Sequence, residues 1–292
     1  MSESPAEFIE NLRAVVMFSG GLGSWLTARR AVEVHGAENV TLLFADVGSD
    51  RSPHVGEDEG TYRFIREAAA DVGAELVTVS DGRDIWQVFH DDRFLGNSRL
   101  ANCSKFLKQK PCRDWLTANA DPEATTVYVG IDWSETHRLP AIERGWAPYP
   151  VRAPLAEPPY LDREQMQQAC IDAGIELPRL YRAGFAHNNC GGFCVRAGQA
   201  QMELLLREHP DRYAFHETEE QKLRDYLGKD VAILSDRTEA AREAARRPDG
   251  TLPNRVPLTL RRFRERIEGD PGLFDSLDVG GCGCFVAEEV GA

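Results

Sequence analysis

Five apolar residues, Ala14–Phe18, run directly into Ser19-Gly20-Gly21-Leu22-Gly23-Ser24, and a helix-like stretch continues from Ser24 to His35. A short apolar strand feeding a helix through a glycine-rich turn is the unit from which parallel α/β sheets are built. The unit recurs. Val40–Ala45 is a second apolar run, Arg63–Val72 reads as a helix, and Glu75–Val79 is a third strand. Cys103–Asn119 is helical but broken or restarted near Pro111, and Thr126–Gly130 is a fourth strand. Strands alternating with helices predict a Rossmann-like α/β fold, a parallel sheet flanked by helices. Ligands of such sheets sit beyond the carboxyl ends of the strands, where the glycine loop lies.

The pattern changes after Pro148. Tyr149–Tyr160 is a proline-rich connector, followed by a helix over Asp162–Ala173. Beyond Ala186 come a turn rich in cysteine and glycine, a helix over Gln199–His209, an acidic helix, the short run Val231–Leu234 and an Arg-rich segment. We divide the chain at residue 185: one domain over 1–185, and a Cys-rich C-terminal extension over 186–292 packed on it. With 34 Lys and Arg against 47 Asp and Glu, the 292 residues carry a formal charge of −13. That excludes a nucleic-acid coat protein or general polyanion binder. The opening residues lack the pattern of a secretory signal, and no apolar run approaches the roughly 20 residues that cross a bilayer. A soluble, cytoplasmic chain with no membrane partner is expected.

Seven cysteines stand out: Cys103, Cys112, Cys170, Cys190, Cys194, Cys282 and Cys284. An odd number in a reducing compartment argues against structural disulfides. Cys112 and Cys170 read as core residues. Cys190-Gly-Gly-Phe-Cys194 and Cys282-Gly-Cys284 are tight pairs flanked by glycine, which suits a metal or cluster because backbone must fold closely around an inorganic group.

The loop from Phe18 to Ser24 is suited to phosphate. Gly20, Gly21 and Gly23 let backbone amides crowd an anion, the helix start adds partial positive charge, and Ser19 and Ser24 carry hydroxyls. It is neither a Walker A loop nor GxGxxG. It resembles the PP-loop (SGGxDS) of the ATP pyrophosphatase and phosphoadenylyl-sulfate (PAPS) reductase family. Other motifs follow in the same order. Asp46-Val47-Gly48 resembles DTG, Thr61–Phe64 resembles ETxxF, and Cys103–Pro111 is similar to CCxxRKxxP with Ser104 in place of the second cysteine. Gly130 through Arg138 resembles GxRxxQSxxR, and Leu177–Tyr181 with Gly184, Phe185 and Cys190 resembles LPxxPLYxxGY…GCxxC. The resemblance spans Val15–Cys194. It departs at Gly23, where many ATP pyrophosphatases have Asp, in the three residues inside the Cys190/Cys194 pair, and at GGCGCF, which replaces the reductases' terminal motif.

The resemblance implies an adenine nucleotide alpha hydrolase-like fold, with 1–185 as the PP-loop nucleotide-binding domain and 186–292 as the cluster-binding extension. It implies an adenine nucleotide, ATP (with Mg2+) or adenylyl sulfate, held by Ser19, Gly20, Gly21, Gly23, Ser24, Asp46, Lys108, Gly130 and Arg138. It also implies a 4Fe-4S cluster on Cys103, Cys190 and Cys194, with Cys282 or Cys284 as a fourth ligand; zinc is the rival. The other terminal cysteine, Cys284 by preference, would be a catalytic thiol carrying persulfide or attacking sulfur. Lys105 and Lys110 are further anion-binding candidates beside Lys108, and His137 accompanies Arg138. Residues Arg237 to Arg266 hold nine Arg against four acidic residues, the one hint of a nucleic-acid acceptor. The expected activity is ATP-dependent sulfur transfer: adenylation of an acceptor oxygen with loss of pyrophosphate, then thiolation. The alternatives are an adenylyl-sulfate or phosphoadenylyl-sulfate reductase, and a non-catalytic nucleotide- and cluster-binding sensor or subunit. A homodimer is left open.

Overall fold

The computed structural model describes residues 13–97 and 100–269. Cys282 and Cys284 lie outside the described residues. β1 (Arg13–Met17) leads through the glycine loop into α1 (Leu22–His35), followed by β2 (Val40–Asp46), α2 (Glu59–Val72), β3 (Glu75–Ser80) and α3 (Ile85–Asp91). A π-helix over Ser104–Gln109 runs into α4 (Lys110–Asn119), then β4 (Thr125–Tyr128), α5 (Leu139–Trp146), β5 (Val151–Arg152), α6 (Arg163–Asp172) and α7 (Arg179–Arg182). The five strands form one sheet in the order β3-β2-β1-β4-β5, and every neighbouring pair is parallel. This is the α/β Rossmann-like arrangement. The chain winds outward from β1 to β3, then crosses back to β4, so the strand order reverses between β1 and β4. A crevice opens at such a switch point, beyond the carboxyl ends of the two strands.

The strand residues explain the layers. Ala14, Val16 and Phe18 face a core with Trp25 of α1, Phe64 of α2 and Met166 of α6. Val15 and Met17 face the opposite one, with Leu116 of α4 and Ile142 and Trp146 of α5. From Ala14 on, both faces of β1 are buried, and its sequence there is continuously apolar. Cys170 and Cys112 are fully buried, one in each of these cores.

A third core lies under the rest of the chain: α8 (Gln199–Glu208), α9 (Pro210–Leu227), the antiparallel pair β6 (Leu234–Asp236) and β7 (Val256–Leu258), with α10 (Glu239–Ala244) between them and α11 (Leu260–Gly269) after them. It takes Val55, Trp86, Phe89, Leu95 and Ala101 from the first half of the sequence. Buried Glu220 on α9 accepts from the backbone N–H of Ile233 (3.0 Å) and of Leu260 (2.7 Å), and burial pushes its carboxyl up to about 7. The Arg-rich segment is largely engaged within the chain. Arg261 and Arg264 pair with Glu217, Arg266 with Asp236, Arg246 with Glu243, and Arg242 donates to the Pro253 carbonyl.

Candidate functional site

The glycine loop between β1 and α1 lies at the switch point. Ser19, Gly21, Gly23, Ser24, Gly130 and Arg138 line one cleft of about 140 Å3 there, together with Glu135, Tyr181, His187 and Asn188. Two glycines set its shape. Gly20 has φ +77°, in the left-handed region, and a Cβ there would lie 2.7 Å from Ile65. A Cβ on Gly130 would lie 2.9 Å from the Gly23 carbonyl carbon and the Ser24 nitrogen, so only glycine lets the end of β4 approach the start of α1. Gly21 caps α1 without a side chain, and no acidic residue occupies the first turn. Ser24 Oγ accepts from the Gly21 N–H (3.2 Å), and a helix start with no acid in its first turn keeps the positive end of its dipole favourable to an anion. Ser24 donates its hydroxyl to the Gly21 carbonyl (2.8 Å), which commits that proton within the loop. Arg138 pairs with Glu135 at the rim.

Asn188, which sequence reading missed, ties this loop to the cysteine turn. It is 1% exposed. Its amide donates to the Gly20 carbonyl (2.7 Å), its Oδ1 accepts from the Tyr181 hydroxyl (3.2 Å), and its own carbonyl accepts from Thr61 (3.3 Å). Two residues on, Cys190 and Gly191 adopt left-handed conformations, with φ of 54° and 58°. Left-handed backbone at a non-glycine residue is uncommon and clusters at functional positions.

Cys103, Cys190 and Cys194 line a single cavity of about 40 Å3. None of the three is in a disulfide. Apolar Val47, Val55, Ile85, Leu107 and Phe193 wall it, with Lys108, Arg196 and His216 as polar members. The π-helix contributes here: its wide turns bury Ser104, Leu107 and Lys108 together just after Cys103. Lys108 thus lies among the cysteines and not in the cleft at the glycine loop. It pairs with Glu57 at 3.5 Å, and both side chains are buried. Glu57 also accepts from the Gly191 N–H (3.4 Å), and burial raises its carboxyl above the ordinary range against the pull of Lys108. Arg212 donates to the carbonyls of Gly56 (3.2 Å) and Cys190 (3.5 Å), and burial lowers its pKa. Among the described residues, no three His, Cys, Asp or Glu side chains are placed so that they could hold a metal ion together, Cys103, Cys190 and Cys194 included.

A third hollow, of about 660 Å3, adjoins the cysteine cavity through His54 and Val55. Asp46 lies there rather than at the phosphate loop, and its Oδ1 accepts from the Gly48 N–H (2.9 Å) and the Tyr62 hydroxyl (2.6 Å). Asp58 caps α2 and is gripped by Arg179. Of the other candidate cations, Lys105 is exposed and Lys110 pairs with Asp114.

Fold and site together define an α/β protein with a glycine-loop cleft at a helix start and a thiol-lined cavity at one end of a parallel sheet. No family model matches the chain, and no curated protein matches it in sequence. Solved structures similar to it include the phosphoadenylyl-sulfate (PAPS) reductase from Candida auris in a phosphate complex, with 17% identity over 64% of this chain and 88% of that one at a TM-score of 0.41. The NMN synthetase from Francisella tularensis is similar at 17% identity over 60% of this chain and 73% of that one, with a TM-score of 0.40. The NH3-dependent NAD synthetase from Campylobacter jejuni subsp. jejuni NCTC 11168, in complex with nitrate, is similar at 16% identity over 74% and 86%, with a TM-score of 0.39. No helix among the described residues is long and apolar enough to cross a membrane.

Proposed function

We propose that this chain is an adenine-nucleotide-dependent sulfur-transfer enzyme of the PP-loop, PAPS-reductase type. The observation that carries the reading is the adjacency, through Asn188–Asn189–Cys190, of a phosphate-shaped cleft and a cavity lined by three cysteines. The loop 19–24 and the start of α1 bind the phosphates of ATP. An acceptor oxygen attacks the α-phosphate, pyrophosphate leaves, and a sulfur nucleophile from the neighbouring cavity displaces AMP. Adenylation is needed because the acceptor oxygen is otherwise a poor leaving group.

Thiols are the donor type that an iron–sulfur cluster takes. Cys103, Cys190 and Cys194 would hold it, with Cys282 or Cys284 as the fourth ligand, and Lys108 and Arg196 would offset its negative charge. When bound, such a cluster supplies sulfur or electrons to the transfer. The acceptor is a nucleobase or nucleic acid, although the Arg237–Arg266 pairings leave less free positive charge than the sequence implies. A second reading, reduction of adenylyl sulfate, draws on Gly23: a Cβ there would lie 3.1 Å from the Gly130 carbonyl, leaving little room for a metal-binding acid. One experiment separates them. Anaerobically purified protein is analysed for iron and sulfide, then assayed for pyrophosphate from ATP, with and without nucleic acid, and, with a dithiol supplied as reductant, for sulfite from adenylyl sulfate. Iron with pyrophosphate release that Gly21→Val abolishes supports the first reading, sulfite supports the second, and neither product refutes both.

A further inference from the structure

The hollow of about 660 Å3 beside the cysteine cavity is divided by charge. Arg212, half-buried in its wall, donates Nη1 to the carbonyls of Gly56 (3.2 Å) and Cys190 (3.5 Å) and Nη2 to that of Pro53 (3.3 Å). These are three bonds for five N–H groups, and the Nε–H takes no part in them. No carboxylate among the described residues pairs with this guanidinium. The two acids that act on it, Asp58 and Glu57, are already taken by Arg179 (2.5 Å) and Lys108 (3.5 Å), and Asp46 is engaged by Tyr62 and Gly48. A half-buried charge whose nearest opposites are spent calls for a counter-ion. α9 also begins here: His209, Pro210 and Asp211 line the hollow, and no side chain caps the helix start. Its dipole adds to the positive side of the wall.

The rim has the opposite sign. Asp50, Glu59 and Asp211 are exposed there and pair with no base among the described residues. They turn away nucleic acid and other polyanions. A lone inorganic anion would answer Arg212 and leave the rim unanswered, whereas a molecule that carries both signs meets both. We propose that the hollow binds a small zwitterion of the amino-acid type, its carboxylate on the Arg212 guanidinium at the start of α9 and its ammonium facing the carboxylates of the rim. Arginine is suited to the first contact because its planar fork donates to a carboxylate through parallel bonds. The volume lies in the ordinary range for small-molecule sites. The hollow shares no lining residue with the cleft at the glycine loop, so the proposal does not rest on ATP or on iron being bound.

The test uses the full chain in low-salt buffer free of phosphate and sulfate. Each common amino acid is added singly at millimolar concentration in a thermal-shift assay, and at least one should raise the melting temperature. That amino acid is then measured by calorimetry beside its methyl ester, which lacks the carboxylate, and its N-acetyl derivative, which lacks the ammonium. Both should bind at least about tenfold more weakly. Arg212→Met should lose binding. Asp50→Asn, Glu59→Gln and Asp211→Asn together should weaken the amino acid and strengthen its N-acetyl derivative, since the rim repels the one net negative charge. If Arg212→Met does not fold, the parent still decides: the amino acid should shield Arg212 from phenylglyoxal, read by peptide mass spectrometry, and the methyl ester should not. The proposal is overturned if no amino acid binds, or if a folded Arg212→Met binds as the parent does. It is equally overturned if the N-acetyl derivative binds as well as the amino acid, or if inorganic sulfate alone shields Arg212, which would make this a plain anion site. Loss of ATP binding or of iron would sink the nucleotide or cluster reading and leave these outcomes standing.

Discussion

Replacing Lys108 with Met removes one partner of a buried ion pair and leaves Glu57 behind. At 3.5 Å, two unit charges in surroundings of effective dielectric near 20 attract by about 5 kcal/mol, against which the desolvation of both groups must be set. Breaking such a pair typically costs about 3–5 kcal/mol. Here the loss should be near the lower end, about 3 kcal/mol, because Glu57 keeps the Gly191 N–H and can take up a proton. That proton gives the prediction its signature. Burial already raises the Glu57 carboxyl, and without Lys108 it rises further. A carboxyl whose folded pKa exceeds its unfolded one binds more protons when folded. Stability is then lost as pH climbs from the unfolded pKa through the folded one, and regained on the way down, by at most about 1.4 kcal/mol per pH unit. Urea denaturation of parent and Lys108→Met at about pH 8 and about pH 5.5 should show the gap narrowing by at least about 1 kcal/mol at the lower pH. Adding Glu57→Gln should remove most of it at both. A gap that is independent of pH and is not relieved by Glu57→Gln would refute the argument.

Gly130→Ala pushes a methyl against the Gly23 and Ser24 backbone and should weaken ATP binding by calorimetry at least about tenfold, with a stability loss of about 1–3 kcal/mol. Asn188→Ala frees the Gly20 carbonyl and should lower stability by about 1–3 kcal/mol while weakening pyrophosphate binding, read by thermal shift with and without the ligand. Cys103→Ser should lose iron by direct metal analysis, whereas one of Cys282→Ser and Cys284→Ser should keep iron and lose turnover; two fully active terminal variants would remove those thiols from the chemistry.

The strands and the glycine loop between β1 and α1 are legible because their signals are local: apolar runs of strand length, each followed by glycine or an amphipathic stretch. Several elements escaped, β5 and α3 among them. β5 is only Val151–Arg152 inside a proline-rich run, and its strand character comes from pairing with β4. α3 does carry a signal, the Asp84–Gln87 capping box, in which Asp84 accepts from the backbone of Trp86 and Gln87. The three cysteines that the sequence grouped do share a cavity. The polar residues around them were not legible, since Glu57 meets Lys108 across 51 positions, His216 meets Trp86 across 130, and Asn188 meets Gly20 across 168. No periodicity spans such separations. Lys108 shows the same limit: its neighbourhood of lysines implies a solvent-facing anion site, and the π-helix turns it inward.

Asn188 and Cys190 are two peptide bonds apart, and each end of that short piece is fastened independently. Asn188 has its carbonyl, amide and Oδ1 engaged, and a side chain at Gly191 would run into the Arg212 guanidinium. The stretch has no slack. A single inserted or deleted residue here would shift one of the two pockets out of register with the other, whereas the exposed turn near Asp249 and Gly250 can change length without touching either. Variation in this chain is therefore expected to preserve the spacing from Asn188 to Cys194 even where the identities of its other residues change.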